Sequence, residues 1–426
     1  MHFDTDPPGC GLSSALGAIA RVLRSSIMGI GSVDQLGRAF DASWAATNYD
    51  PGRFPELAVE HLSAARLHRE LRPNDILAWA LGGELPDQFD KISLFGQPPI
   101  TMFRSRRFVI DALFWLDGTT NIHDHSFGGA FQVLAGSSIE TTFRFQASRS
   151  VDGHMFFGEL RLLESALRRT GDVRPITQGS SYIHGLFHLE RPSVTILIRA
   201  LQPPVTPVQL QYEPCGVAWN PFFRDIALDR MLEVVELLDK SNDRAFDELV
   251  GGVMSRADLS TANRVIRACV GIQDQRRIDG LLERVADREA ATTFSAWLAK
   301  ERVDRFLRQR RALVHDADLR FLLAVLLNSH RGDHSLRLVS AFVGPEKDPA
   351  AQIASWLARL SKVTLRLQVG GAPWEPNVLN LPDFEAGHEQ ALADALAGRP
   401  RDVTPSERVF LERVRALPHL SALFSA

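Results

Sequence analysis

Between Gly118 and Phe145 the chain reads GTTNIHDHSFGGAFQVLAGSSIETTFRF, and the triplet His123-Asp124-His125 restricts the possible folds more than any other stretch. On extended backbone, residues i and i+2 project from one face. Both imidazoles then turn toward one point, and neutral imidazole is the commonest protein metal ligand. The neighbouring residues are apolar, β-branched or aromatic, and are broken by Asp117-Gly118, Gly128-Gly129 and Gly136-Ser137. That texture predicts short strands and tight turns. The triplet therefore reads as two metal ligands held between the sheets of a barrel; the competing reading is a pair of structural histidines in a barrel wall.

The strand signal extends in both directions. RFVIDALFWL (Arg107 to Leu116), GAFQVLA (Gly129 to Ala135) and IETTFRF (Ile139 to Phe145) predict strands, residues 151–162 a hairpin arm, Gly171 to Gly179 a turn-rich approach, and Val194 to Leu201 a further strand. Strands at this spacing predict a barrel or sandwich. On either side the apolar period is helical. Leu16, Ile19 and Val22, then Leu57, Val59, Leu62 and Leu67 mark the N-terminal part, with a helix starting at Asn74-Asp75. Beyond Trp219, Leu228, Leu232, Val235 and Leu238 form one stripe over 224–240, and stripes recur over 257–270, 276–286, 289–313 and 317–328. VTLRLQV (Val363 to Val369) alternates like a strand, and two helices follow, near 384–397 and 405–423.

A length of 426 residues fits two or three domains. The expected boundaries are an N-terminal helical segment (1–95), a β-barrel (96–215) and an α-helical C-terminal domain (216–426). A formal net charge of −3 excludes wholesale attraction to nucleic acid or anionic membrane. Cys10, Cys215 and Cys269 form no CxxC, which indicates neither a disulfide framework nor a thiolate zinc site. With no signal-peptide pattern and no apolar run longer than Phe321 to Leu327, the expectation is a soluble cytoplasmic protein. No P-loop, GxGxxG, GxSxG or HExxH occurs. The arginines at 302, 305, 308, 310 and 311 are interspersed with acids and read as a solvated helix face rather than a phosphate site.

A second stretch, Tyr182-Ile183-His184-Gly185-Leu186-Phe187-His188-Leu189-Glu190-Arg191-Pro192, supplies further ligands. Together the two resemble the paired motifs of the cupin barrel, an HxH followed by glycine and then a later histidine leading into a terminal strand. Ile122-His123-Asp124-His125, with Gly136 after it, is similar to the thiol dioxygenases related to cysteine dioxygenase. The resemblance covers about residues 95–205. It implies an α+β fold with a double-stranded β-helix, and mononuclear Fe(II) held by His123, His125 and His184. O₂ and a small or peptide-borne substrate would bind in the open positions. Imidazole suits other divalent first-row metals equally, so iron is preferred only through the resemblance. His188 stands where the family often has asparagine, which makes it a substrate contact, a group behind the ligands, or the third ligand in place of His184.

Other residues acquire roles on the same alignment. Asp124, Glu140 or Glu190 orients a ligating imidazole. Arg199 either clamps a substrate carboxylate or closes an ion pair at the barrel mouth. Arg104, before the first strand, is a second carboxylate-binding candidate, Ser180, Ser181 and Tyr182 line the mouth or are ordinary strand residues, and His154 sits on a hairpin. Two departures from the family stand out: Thr195, Leu197 and Arg199 replace a Ser-x-His-x-Tyr run, and Gly129 or Ala130 replaces a cysteine. Those same two positions lack the acidic fourth ligand of many cupins, which favours the three-histidine site. The implied function is an iron-dependent cupin oxygenase. The alternative is a non-catalytic metal- or ligand-sensing cupin with a helical partner-binding domain, and a third reading has the helical domain presenting a peptide or carrier protein to the metal.

Overall fold

The computed structural model describes residues 30–425, apart from 83–84, 89–95, 117, 119, 202–207, 242–243, 273, 366, 370–371 and 375. Leu16, Ile19, Val22 and Cys10 lie outside the described residues. Helix and sheet are mixed, with a β-barrel region flanked by helices on both sides.

The chain enters through α1 (30–46), α2 (Phe54–Ala65) and α3 (Pro73–Leu81). α3 starts earlier than expected because Pro73 occupies its first turn and the Asp75 carboxylate accepts the Arg72 backbone N–H at 3.0 Å. Among the described residues eleven strands follow: β1 (Pro99–Arg104), β2 (Phe108–Trp115), β3 (His123–His125), β4 (Gly129–Ala135), β5 (Ser137–Ser150), β6 (Met155–Arg169), β7 (Val173–Ile176), β8 (Gly179–His188), β9 (Ser193–Ala200), β10 (Gln211–Glu213) and β11 (Val217–Trp219). The approach expected as turn-rich contains β7, which pairs antiparallel with β4.

These strands form an open sheet in the order β1-β2-β9-β4-β7 and a closed ring in the order β10-β11-β6-β5-β8-β3. The pairing is nested: β2 with β9, β3 with β8, β4 with β7 and β5 with β6, all antiparallel. Successive nested pairs alternate between the two sheets. The alternation of side chains sorts each strand onto two cores. From β2 and β9, residues such as Phe108, Ile110, Val194 and Ile196 pack against α1 and α2, where the Phe40 ring lies 4.9 Å from Phe54 and 4.8 Å from Phe108, edge-on. Leu113 and Leu197, one residue out of phase, turn inward with Phe131, Val133 and Leu186 into the space between the sheets. The hairpin β10–β11 straddles residue 215, and β11 pairs with β6, so the barrel runs to Trp219, past the expected boundary.

The remainder is helical: α4 (Ile226–Lys240), α5 (Phe246–Met254), α6 (Leu259–Ala268), α7 (Gln275–Glu283), α8 (Arg288–Leu313), α9 (Ala317–Asn328), α10 (Gly332–Val343), α11 (Pro349–Leu360), α12 (His388–Leu396) and α13 (Pro405–Arg415). Six of these begin after an aspartate, Asp225, Asp258, Asp274, Asp287, Asp316 or Asp348, whose carboxylate accepts free N–H groups of the first turn. Each such cap stabilises its helix by about 1 kcal/mol. The alternating VTLRLQV stretch yields only a short strand, β12 (Leu367–Val369), paired with β13 (Ala372–Trp374). No helix among the described residues is long and apolar enough to cross a membrane.

Two helical cores grip the ring. One joins Phe246, Val265 and Phe294 to Met155, Phe157 and Val217 of β6 and β11, and the other joins Leu322, Val325 and Trp356 to Ile139 and Phe187 of β5 and β8. Arg311 departs from the expected solvated face. It is 2% exposed, donates to the carbonyls of Leu189 at 2.9 Å and Arg320 at 3.2 Å, and covers the Phe187 ring at 4.9 Å. Arg311→Ala removes both hydrogen bonds and the ring contact of a buried side chain at this junction, so urea titration is expected to show a loss of about 2–4 kcal/mol in unfolding free energy. A loss below about 0.5 kcal/mol, the level of an ordinary surface substitution, would show that this contact does not hold barrel and helices together.

Candidate metal centre

β3 is three residues long, so its alignment depends on what fixes it. Asp124 points to the opposite face from its neighbours, where its carboxylate accepts the Leu210 N–H at 2.7 Å and the Tyr212 hydroxyl at 2.8 Å. His123 stands directly opposite His184 on β8. Consequently His123, His125 and His184 converge from two adjacent strands. Their ring centroids are 4.6–5.0 Å apart. One donor atom from each lies within 4.8 Å of the others, and all three residues are buried.

The hydrogen bonds select the donor atoms. The Asn121 carbonyl 2.7 Å from His123 Nδ1 can only accept, so that nitrogen carries the proton and Nε2 keeps its lone pair. The Glu140 carboxylate does the same for His184, 3.4 Å from Nδ1. His184 Nε2 then faces His125 Nε2 at 3.0 Å. Two nitrogens bound at right angles to one metal, each about 2.0–2.1 Å from it, stand about 3 Å apart. His125 Nδ1 is buried with no hydrogen-bond partner among the described residues. Burial, with repulsion from His184, lowers His123 to about 3. Burial and both neighbours hold His125 well below its usual value. His123 and His125 are therefore neutral at neutral pH, the ligating form, and the donor set fits a divalent first-row cation.

Behind His184 lies a polar cluster centred on Glu140, which is wholly buried. Its carboxylate pairs with Arg168 at 2.6 Å and Arg174 at 3.2 Å and accepts the Tyr182 hydroxyl. Burial alone would raise its pKa, but contact with His184, the charge of Arg168 and the Tyr182 hydroxyl outweigh it and hold the group at about 2. Glu140 is thus an ionised carboxylate oriented onto a ligating imidazole.

In front of the histidines is a cavity of about 60 Å³, room for roughly four or five waters. Leu113, Phe127, Phe131, Ile176, Leu186 and Leu197 form its apolar wall; Trp115, Thr120, Thr195 and Arg199 complete it. Thr195, Leu197 and Arg199 face inward, as alternation on β9 predicts. Arg199 lines the cavity, and its Nε donates to Asp111 at 2.9 Å. At the position expected to lack cysteine, a Cβ on Gly129 would lie 2.3 Å from the Ile198 carbonyl oxygen, so the backbone admits no side chain there.

Other candidates lie away from the cavity. His188 shares the inner face of β8 with His184 but is four residues along it, roughly 13 Å of strand. It is wholly buried, stacked on Trp115 at 4.4 Å, with Nδ1 2.9 Å from both Ser138 Oγ and Ser193 Oγ. It stands outside the group of three clustered imidazoles and outside the cavity lining. Tyr182 spends its hydroxyl on Glu140, Ser180 and Ser181 are exposed, and Arg104 is at the exposed end of β1. Glu190 binds the Ser137 N–H and hydroxyl, and His154 stacks on Phe223. Burial pushes the Cys215 and Cys269 thiols up to about 12, so neither is a thiolate. Sequence reasoning missed Arg168 and Arg174, whose signal was only a position on a strand beside a buried acid, and the Asp111 partner of Arg199.

No protein-family profile matches the sequence, and no curated protein sequence matches it. Partial likeness to solved structures exists. A hydroquinone 1,2-dioxygenase from Sphingomonas sp. TTNP3 aligns at 10% identity over 25% of this chain and 68% of that one, with a TM-score of 0.21. A hydroquinone 1,2-dioxygenase solved with Cd2+ aligns at 13% over 24% and 63%, TM-score 0.19. An oxalate oxidase aligns at 14% over 39% and 65%, TM-score 0.19. The last two are covered over less than two thirds of their own length. TM-scores this low establish no common fold, and the assignment that follows rests on the geometry of the chain itself.

The buried imidazoles make the metal-free chain acid-sensitive. Burial lowers His188, like His123, to about 3 from 6.5. Between those values the unfolded state binds more protons, so their contribution is present above the unfolded pKa and is lost as pH falls toward the folded one. His188→Asn is expected to flatten unfolding free energy against pH between roughly pH 6 and 4, by at most about 1.4 kcal/mol per unit. An unchanged slope would mean that His188 does not enter the fold neutral.

Proposed function

We propose that the chain is a mononuclear metal-dependent oxygenase of the cupin type, with His123, His125 and His184 as the metal ligands and a small-molecule substrate admitted with O₂. The observation that carries this reading is the convergence of three buried imidazole donors within 4.8 Å, with no carboxylate among them. The nested strand pairing supports a double-stranded β-helix, here taken to span residues 96–219, with the helical segments before and after it as separate units. Fe(II) is the proposed metal; three protein nitrogens leave coordination positions for substrate and O₂ together. A bound metal there would supply oxygen activation and charge stabilisation.

The protein's own groups do the rest. Glu140 and the Asn121 carbonyl fix two imidazole tautomers and strengthen them as donors. The apolar wall excludes water, which strengthens every electrostatic interaction within. Arg199 offers a cation to the substrate from the cavity lining. Tyr182 acts only by holding Glu140, and His188 by holding β8 to Trp115. The thiol-dioxygenase substrate class is not carried over, since the tyrosine and cysteine positions hold Arg199 and Gly129.

A second reading, a non-catalytic metal- or ligand-sensing cupin, draws on the contact between the helices and the back of the site. Ile139 and Phe187, sequence neighbours of Glu140 and His188, belong to a helical core. O₂ uptake with turnover of a substrate separates the two, because a sensor binds without consuming oxygen.

Elemental analysis of untagged protein is expected to find about one first-row metal per chain. His123→Ala, His125→Ala and His184→Ala are each expected to lose it, His188→Ala to keep it, and Glu140→Gln to bind it about 10–100-fold more weakly. Retention in His184→Ala with loss in His188→Ala would overturn the ligand set.

A further inference from the structure

Every charge that the cavity lining presents has one sign, and Trp115, Thr120 and Thr195 are the other residues there with polar atoms on their side chains. The three imidazoles are neutral donors that leave a bound divalent cation's charge uncompensated. Arg199 supplies a fixed cation. The acids of the region stand behind the lining: Glu140 is engaged by Arg168, Arg174, Tyr182 and His184, and Asp111 accepts from Arg199 Nε at 2.9 Å and from Thr101 Oγ1 at 2.8 Å. Asp111 is 1% exposed and does not reach the cavity. The pair instead fixes the guanidinium that does. Among the described residues lining the cavity, none is acidic.

An enclosure of this kind discriminates by charge. An ammonium brought inside would be desolvated without a carboxylate partner and repelled by the metal and by Arg199. An anionic oxygen finds a cation whichever way it enters, and a planar carboxylate matches the guanidinium fork. Elsewhere in the lining, Leu113, Phe131, Ile176, Leu186 and Leu197 offer only apolar contact, so the body of the ligand must be largely hydrocarbon. The volume keeps it small.

We propose that this cavity selects a small organic anion with an apolar body, a branched or aromatic carboxylate, and rejects amino acids. The metal half of this inference rests on the function proposed above; the Arg199 half does not. The proposal separates the chain from the thiol amino acids that the sequence resemblance implies.

The test is isothermal titration of the full chain, loaded with redox-inert zinc, using isovalerate, isovaleramide and valine. Valine is isovalerate with one added α-ammonium, and isovaleramide is its uncharged isostere. Isovalerate is expected to bind at least about tenfold tighter than either. Arg199→Gln is expected to reduce the carboxylate-over-amide preference several-fold without changing zinc content. Because that variant strands buried Asp111, the Asp111→Asn/Arg199→Gln double variant is titrated beside it, with the same expectation. Valine or isovaleramide binding as tightly as isovalerate overturns the proposal, as does the absence of binding by all three. Oxygen uptake is not read, so failure of the oxygenase function leaves this outcome legible. A chain that takes up no zinc is titrated metal-free, where Arg199 alone must still favour the carboxylate over the amide; no preference there overturns the proposal too.

Discussion

The arrangement depends on one ionised carboxylate buried inside a β-barrel. Glu140 is removed from water entirely, a transfer that costs several kcal/mol for a lone charge. Arg168, Arg174, the Tyr182 hydroxyl and the His184 N–H offset that cost. Because the partners come from β6, β7 and β8, the charge ties three strands to β5. It also determines which nitrogen of His184 faces the cavity. A structural charge and a donor geometry are therefore the same interaction, and the site is rigid because the barrel around it is.

Around this centre the chain places each requirement on a different element. β3, too short to hold itself, is fixed by Asp124 on its outer face so that His123 and His125 share the inner one. β9 presents Thr195, Leu197 and Arg199 to the cavity while Val194, Ile196 and Ile198 pack on the N-terminal helices. The C-terminal helices cover the outside of the ring, and Arg311 reaches the carbonyl of Leu189, next to the end of β8. Helical mass thus supports the back of the strand that carries His184, which is a structural reason for its presence whatever partner it also meets.

Much of this was legible from local pattern. The HDH triplet follows from a period of two, a short-range property of the chain, whereas His184 and the inward phase of β9 were implied only by the resemblance to the paired motifs of the cupin barrel. What was not legible depends on register. Glu140, Asp124 and Glu190 were equivalent candidates for orienting an imidazole until the β5–β8 alignment put Glu140 diagonally across from His184, Asp124 onto Tyr212 and Glu190 onto Ser137. His188 stayed ambiguous for the same reason, since sequence spacing alone does not say whether the strand continues straight for four residues. Arg311 looked like the half-buried arginines around it because burial at a junction between two cores leaves no periodic trace. The helices α10 and α11 went unseen, though Asp348-Pro349 before α11 is a start signal that could have been used.

The central claim is that three imidazoles, and no other side chain, hold one metal ion. X-ray absorption of the iron-loaded chain measures that directly. The account predicts about three imidazole nitrogens at about 2.0–2.1 Å with the remaining scatterers from solvent oxygen. A sulfur scatterer, a fourth imidazole, or fewer than three imidazoles would contradict it.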